Sequence, residues 1–307
     1  AIDTPFQKGD AYGALSMPVY HTLAYEFDNA SVMSDAFCGR IEEPDYSRVM
    51  NPTVNYLELK IKALTGAERV TAMSSGMAAI SGALFSLVEQ GKNVVSSRHM
   101  FGNTYSLLTK TLPRLGVTPH LCDLTNLEEV EAAVDDNTCC IFVEIITNPQ
   151  MEVADLAALA SVAHEHHIPL VADTTTIPFT MFSAKKLGVD IEVVSSTKYI
   201  SGGATSLGGL IIDYGTDYTQ GFTSTIKSEL LFNFGAYMTP QVAFMQTMGL
   251  ETLDARYRVQ SANALELAKK LRGLKQVKSV NYVGLEDNKF YKLAQRQFGK
   301  TAGAMVC

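Results

Sequence analysis

The chain lacks the features that mark membrane-spanning, secreted and zinc-binding proteins. No apolar run reaches the roughly 18 residues that a membrane helix needs, and no charged-then-apolar leader opens the sequence. The five cysteines are an odd number, and none is spaced as CxxC or as zinc ligands. We therefore expect reduced thiols, no metal site, no membrane contact and a cytoplasmic location.

Positive charge is also scarce. The formal net charge is -7, which argues against nucleic acid or an anionic membrane as a partner. Apolar residues make up 47% of the 307 residues and charged residues 19%, a balance typical of a globular α/β protein. An anionic cofactor would need positive groups placed locally.

Several catalytic fingerprints are missing as well. The glycine-rich stretch 202–209 matches neither GxGxxG nor a Walker loop, and no GxSxG sequence supports a serine hydrolase. His164 and His167 lie one helical turn apart, so a metal is conceivable, but no carboxylate or Cys partner is evident nearby. We favour polar residues near a helix C-terminus over a metal site.

From Asn51, which starts a predicted helix that stops at Gly66, short apolar runs alternate with helical patterns. Several runs are rich in β-branched residues and apolar on both faces, which predicts a largely parallel sheet covered on both sides. The predicted strands are Val70–Met73, Asn93–Ser96, Val117–Cys122, Cys139–Ile145, Pro169–Asp173, Ile191–Ser195 and Leu207–Ile212. The fold class is therefore α/β, an α/β/α sandwich with a mostly parallel sheet.

The chain divides into three predicted regions. Residues 1–50 are irregular and form an arm whose apolar side chains need a surface to pack on, such as another subunit. Residues 51–238 form the α/β domain that would hold a ligand, and residues 239–307 begin a smaller C-terminal α+β domain.

The C-terminal region has its own pattern. A helical pattern opens at Thr239 and continues through Leu271, and Val277–Val283 and Ala304–Cys307 are predicted strands. Because the chain stops inside an apolar run, we expect this domain to be incomplete.

Polar side chains follow three of the predicted strands, at Asn148, Asp173 and Lys198. Ligands of parallel sheets bind outside the carboxyl ends of the strands, so we expect these side chains to meet there. A pyridine-aldehyde cofactor needs an amine for its aldehyde and a buried carboxylate for its protonated ring nitrogen. Lys198 and Asp173 suit these two tasks, and Asn148 could donate to the phenolic oxygen.

Each of these residues also has an ordinary alternative. Lys198 could be a surface residue of a loop, and Asp173 could cap a helix. Asn148 could simply form a turn before Pro149. Phe101 could stack on a flat ring, although a lone Phe more often belongs to a core.

A phosphate site is predicted where Ser75, Gly76 and Met77 follow a strand and open a helix. Backbone N–H groups and the helix dipole favour an anion at such a point. Ser195 and Thr197 can add hydroxyl groups. A lone Ser-Gly pair at a helix start is more often only a cap.

Five motifs, in this order and at these spacings, resemble the Cys/Met-metabolism enzymes that depend on pyridoxal phosphate (PLP). The motifs are Tyr46-Ser47-Arg48-x-x-Asn51-Pro52-Thr53, Ser75-Gly76-Met77-Ala78-Ala79, Glu144-x-x-x-Asn148-Pro149, Asp173-x-Thr175 and Ser195-x-Thr197-Lys198-Tyr199. The similarity to this cystathionine γ-synthase-like family covers nearly all 307 residues. It implies a fold-type I transferase, pyridoxal 5'-phosphate as cofactor and a small amino acid as substrate.

The resemblance implies a role for each motif residue. Lys198 would hold PLP as a Schiff base and carry a proton between the substrate's Cα and Cβ, and Asp173 would pair with the pyridinium. The phosphate would be held by the backbone of Gly76 and Met77 and by Ser195 and Thr197. The other implied cofactor-binding residues are Ser75, Phe101, Asn148 and Thr175.

Two further residues would serve a neighbouring subunit. The resemblance implies that Tyr46 and Arg48 reach the phosphate of the adjacent chain, so the protein would be a homodimer, usually paired into a homotetramer. Arg48 would supply local positive charge. The family usually has Tyr where this chain has Phe101. Phe101 could still stack on the cofactor ring, but it has no phenol hydroxyl. The family's substrate-carboxylate arginine is expected beyond Cys307.

The segment Gly202–Gly215 is similar to the O-acetylhomoserine sulfhydrylase branch of the family. It implies γ-replacement, in which O-acetylhomoserine and a sulfur donor give homocysteine for methionine biosynthesis. Alternatives are a methionine γ-lyase, a cystathionine γ-synthase or γ-lyase, and a non-catalytic binding protein on the same scaffold. The donor stays open between sulfide, methanethiol and a thiocarboxylated sulfur-carrier protein.

Overall fold

A seven-stranded sheet runs through the computed structural model, which describes residues 12–307, so residues 1–11 of the predicted arm lie outside the described residues. Its strands are β1 Arg69–Met73, β2 Asn93–Ser97, β3 Thr118–Cys122, β4 Thr138–Glu144, β5 Leu170–Asp173, β6 Ile191–Val194 and β7 Gly209–Asp213. The order is β1-β7-β6-β5-β4-β2-β3, and only β7 runs antiparallel to its neighbours among these seven. All seven predicted strands are confirmed.

Helices cover both faces of the sheet, which confirms the predicted α/β/α sandwich. The helices are α1 Ala30–Phe37, α2 Pro52–Thr65, α3 Gly76–Phe85, α4 Gly102–Ser106, α5 Leu127–Ala133, α6 Leu156–Glu165, α7 Phe222–Thr225, α8 Phe232–Phe234, α9 Pro240–Glu251, α10 Leu253–Arg272 and α11 Tyr291–Phe298. Within residues 12–307, no helix combines the length and the apolar character that crossing a bilayer would require.

The alternation of side chains along β4 explains the two cores. Ile141 and Val143 point into one apolar cluster, together with residues of α2, α6 and α10. Cys140 and Phe142 point into the other, together with residues of α3. Because successive side chains of a strand face opposite sides, a strand buried on both faces is a continuous apolar run in the sequence.

Helix α2 begins and ends where the sequence predicts. The Asn51 side chain accepts a hydrogen bond from the Thr53 N–H at 3.0 Å, and Pro52 occupies the first turn. Gly66 ends the helix with φ of 68°, a left-handed conformation that glycine adopts without steric cost. The fully buried Leu57 and Ile61 lie on one face and pack against the sheet.

The C-terminal region differs from its prediction. Its helical pattern is confirmed as α9 and α10, but neither Val277–Val283 nor Ala304–Cys307 forms a strand. The two segments meet at one residue pair, where Asn281 and Cys307 exchange N–H to carbonyl hydrogen bonds of 2.6 and 3.0 Å. A strand needs a ladder of such pairs, and these short apolar runs have only one.

A close backbone contact joins α3 to β7. A Cβ atom on Gly209 would lie 2.0 Å from the Ser75 carbonyl oxygen, much closer than the van der Waals contact distance of the two atoms. We therefore expect Gly209→Ala to lower the free energy of unfolding by about 3 kcal/mol, measured by chemical denaturation. Gly102→Ala, whose Cβ would meet nothing within 4 Å, is the control and should stay within about 1 kcal/mol of wild type. Equal stability of the two variants would contradict this packing.

Candidate active site

A cavity of about 290 Å³ opens at the carboxyl ends of β4, β5 and β6. Ten of the residues predicted from the sequence line it, namely Ser75, Gly76, Met77, Phe101, Asn148, Asp173, Thr175, Ser195, Thr197 and Lys198. These residues come from five separate stretches of the chain. The fold therefore brings together the groups that the sequence analysis selected one by one.

The turn after β6 places Lys198. The Lys198 N–H donates to the Ser195 carbonyl at 3.1 Å. The Thr197 hydroxyl donates to the Gly208 carbonyl at 3.1 Å and accepts from the Gly208 N–H at 3.0 Å. These bonds fix the backbone on both sides of Lys198, while its side chain stays exposed in the cavity.

Asp173 ends β5 and lies beside the lysine turn. Its carboxylate accepts from the Thr175 N–H at 2.9 Å, and the Thr175 hydroxyl accepts from the Ser195 N–H at 2.8 Å. Burial raises the pKa of the Asp173 carboxyl, and hydrogen bonding from Thr175 opposes that rise. The alternative of a helix cap is wrong, because no helix begins at the residues that follow Asp173.

The start of α3 forms one end of the cavity. The Ser75 hydroxyl accepts from the Ala78 N–H at 3.0 Å, so Ser75 caps this helix. The N–H groups of Gly76 and Met77 are the first of the helix and have no intrahelical acceptor. A Cβ atom on Gly76 would lie 2.6 Å from the Ser195 hydroxyl oxygen, so only glycine lets the two approach. Two free N–H groups and a hydroxyl thus meet at a positive helix end.

Glu144 is a cavity residue to which the sequence analysis gave no role. It is the last residue of β4 and lies opposite Asp173 in the strand register. Its two carboxylate oxygens accept from the N–H of Phe101 at 2.7 Å and from the N–H of Asn148 at 3.2 Å. One buried side chain thus fixes the two loops that carry Phe101 and Asn148. A charged residue ending an otherwise apolar strand was the available signal.

Tyr46 and Arg48 do not line the cavity of their own chain. The Arg48 guanidinium lies 5.1 Å from the centre of the Tyr46 ring and 5.9 Å from that of Phe232. Within residues 12–307 Arg48 has no ion pair, and its Nε is buried without a hydrogen-bond partner. The predicted contact of these two residues with a neighbouring chain stays a prediction.

The histidines at the end of α6 have ordinary partners. His164 Nε2 lies 2.9 Å from the buried Asp190 carboxylate, and its ring stacks on Tyr218. This carboxylate is the partner that was not evident in the sequence. His166 Nε2 lies 2.9 Å from Glu131. In the part of the chain that the structure describes, no three His, Cys, Asp or Glu side chains are grouped to hold a metal ion.

Proton binding by Glu144 makes the free energy of unfolding depend on pH. Burial, followed by the nearby Asp173, raises the pKa of Glu144 from 4.5 to about 8. Between these values the folded chain holds a proton that the unfolded chain has released, so stability falls as pH rises. We expect Glu144→Gln to remove this slope, which is at most about 1.4 kcal/mol per pH unit.

The measurement is chemical denaturation of the ligand-free protein at several pH values between 5 and 8. The free energy of unfolding of the variant minus that of wild type should rise across this range. Glu286→Gln, at an exposed site, is the control and should show a flat difference. A flat or falling difference for Glu144→Gln would show that this carboxyl does not titrate as described.

Comparisons with known proteins identify the family of this chain. The family model described as Cys/Met metabolism PLP-dependent enzyme matches residues 1–307. An L-methionine gamma-lyase from Fusobacterium nucleatum is 37% identical over 299 residues, covering 96% of this chain and 74% of that protein.

Two solved structures are also similar. The O-acetylhomoserine sulfhydrylase of Wolinella succinogenes is 43% identical, with a TM-score of 0.77 over 85% of this chain and 79% of that chain. An O-acetylhomoserine (thiol)-lyase of Campylobacter jejuni is 29% identical, with a TM-score of 0.93 over 98% of this chain and 81% of that chain. That structure contains a pyridoxyl-lysine phosphate. The fold is fold-type I, and the chain belongs to the family of Cys/Met metabolism PLP-dependent enzymes.

Proposed function

We propose that the chain is a γ-replacement enzyme that makes homocysteine and acetate from O-acetylhomoserine and a sulfur donor such as sulfide. The observation that carries this proposal is the convergence of an amine, a buried carboxylate and a helix N-terminus in one cavity, at Lys198, Asp173 and Gly76. PLP is the cofactor of the family, and these groups match its aldehyde, its ring nitrogen and its phosphate.

The proposed roles follow from this fit. Lys198 Nζ binds the cofactor and moves a proton between the Cα and Cβ of the substrate. Asp173 holds the proton on the ring nitrogen, a task that its carboxylate performs in the charged form. Phe101 stacks on the ring, and Asn148 donates to the phenolic oxygen.

The phosphate is held by the start of α3 and the turn after β6. The N–H groups of Gly76 and Met77 donate to it, and Ser195 adds its hydroxyl beside them. Thr197 lies in the same turn, and its hydroxyl would donate to the phosphate in place of the Gly208 carbonyl. The bound cofactor supplies the electron sink that stabilises negative charge at the substrate's carbon atoms.

The choice of substrate rests on two observations. The segment Gly202–Gly215 is similar to the O-acetylhomoserine sulfhydrylase branch, and the Wolinella succinogenes protein of that name is 43% identical. Methionine γ-lyase is the second candidate, because the Fusobacterium nucleatum relative with that name is 37% identical. The sulfur donor stays open between sulfide, methanethiol and a thiocarboxylated carrier protein.

We also propose that two chains share each site, with Tyr46 and Arg48 reaching the phosphate of the neighbouring chain in a homodimer or homotetramer. The Arg48 guanidinium supports this, because a half-buried cation that has no ion pair within residues 12–307 is suited to bind an anion from outside. The five free cysteines are in keeping with a cytoplasmic location.

The reaction is tested with a substrate panel. Holoenzyme with O-acetylhomoserine and sulfide should release homocysteine and acetate, and holoenzyme with methionine should yield little 2-oxobutyrate or methanethiol. Lys198→Ala should lose the visible absorption band of the lysine-bound cofactor. Its turnover should fall by at least about 1000-fold. Products from methionine alone would favour the lyase. A wild-type protein that stays colourless with added PLP would favour the non-catalytic binding protein.

Site sharing is tested by mixing two inactive variants. In a mixed dimer of Lys198→Ala and Arg48→Ala chains, one site has both defects and the other site has none. Random mixing should therefore restore about one quarter of wild-type activity. If Arg48 serves its own chain, every site in the mixture keeps one defect and no activity returns, which would contradict the proposal.

A further inference from the structure

Arg256, in the second turn of α10, contacts the loop that carries Lys198. One of its guanidinium N–H groups donates to the Tyr199 carbonyl at 2.7 Å, directly after Lys198. A second donates to the Gly249 carbonyl at 2.7 Å, and Nε donates to the Thr252 hydroxyl at 3.0 Å. The planar fork of arginine thus joins the lysine loop to the end of α9.

The oxygen atoms that accept hydrogen bonds from Arg256 stabilise its positive charge. Burial lowers the pKa of Arg256, and no carboxylate lies within ion-pair distance of it in residues 12–307. Carbonyl oxygens at the C-terminal end of α9, where the helix dipole is negative, stabilise the cation instead. A Cβ on Gly202 would lie 2.8 Å from the guanidinium carbon, so the lysine loop passes directly over it.

The next residue, Tyr257, contacts the second loop of the site. Its hydroxyl donates to the Thr176 carbonyl at 2.8 Å, and Thr176 lies in the loop that follows Asp173. Its ring is fully buried and packs edge-on against the Tyr199 ring, with 4.9 Å between the ring centres. Tyr257 therefore contacts both loops at once.

We propose that Arg256 and Tyr257 are positioning residues that set the separation between Lys198 and Asp173. The proposal rests on the proposed function, in which these two residues hold the aldehyde and the ring nitrogen of one cofactor. Adjacent residues of one helix have their Cα atoms about 3.8 Å apart, so the two loops are tied to one short rigid segment. Neither residue lines the cavity, so both act through the backbone of the loops.

The test compares three holoenzyme variants. Arg256→Lys keeps the charge but loses the fork, and Tyr257→Phe removes only the hydroxyl. Arg258→Lys is the matched control, because Arg258 lies on the exposed face of the same helix. The readouts are the pH titration of the cofactor's visible band, kcat and KM with O-acetylhomoserine, and hydrogen exchange of loops 174–178 and 196–205 in cofactor-free protein.

We expect both positioning variants to shift the titration midpoint by about 0.5 pH unit or more and to lower kcat about tenfold with little change in KM. Exchange in both loops should be faster, and Arg258→Lys should match wild type. If Tyr257→Phe does not differ from wild type in the titration of the visible band, in kcat or in hydrogen exchange, the proposal is overturned. This outcome holds even if Arg256→Lys fails to fold. If wild type shows no visible band, the proposed function fails, and the exchange data alone decide the positioning role.

Discussion

The site depends on a close backbone contact between the start of α3 and the turn that carries Lys198. A side chain at Gly76 would collide with Ser195 in this turn, and a side chain at Gly209 in β7 would collide with the Ser75 carbonyl, so α3 needs a glycine at each of these two contacts. The contact brings the free N–H groups of α3 beside the lysine turn. The start of α3 and the backbone that carries Lys198 are thereby held at a fixed separation by main-chain atoms, which do not change rotamer.

The second constraint is the pair of carboxylates at the ends of β4 and β5. Glu144 and Asp173 are opposite each other in register, and burial raises the pKa of both. Such a pair is tolerated only where hydrogen bonds hold each group, as Thr175 does for Asp173 and the N–H groups of Phe101 and Asn148 do for Glu144. In the proposed function, the positive ring nitrogen of the cofactor would favour the charged form of Asp173.

The sheet and most of the site could be predicted from the sequence, because both follow from local patterns. Strands buried on both faces are apolar runs, and polar residues after such runs converge at one edge of a parallel sheet. Glu144 was given no role because its partners are backbone N–H groups of two other loops. Arg256 and Tyr257 were missed because they lie far along the chain from the loops they contact. The two C-terminal strands were wrongly predicted because a short apolar run does not specify a partner.

The proposed function depends on Lys198 binding the cofactor covalently. The most direct test is to reduce the holoenzyme with borohydride, digest it and locate the pyridoxyl group by mass spectrometry. The account predicts a single modified peptide with the group on Lys198. Modification of a lysine outside the cavity, such as Lys185 or Lys227, or no stable modification at all, would contradict it.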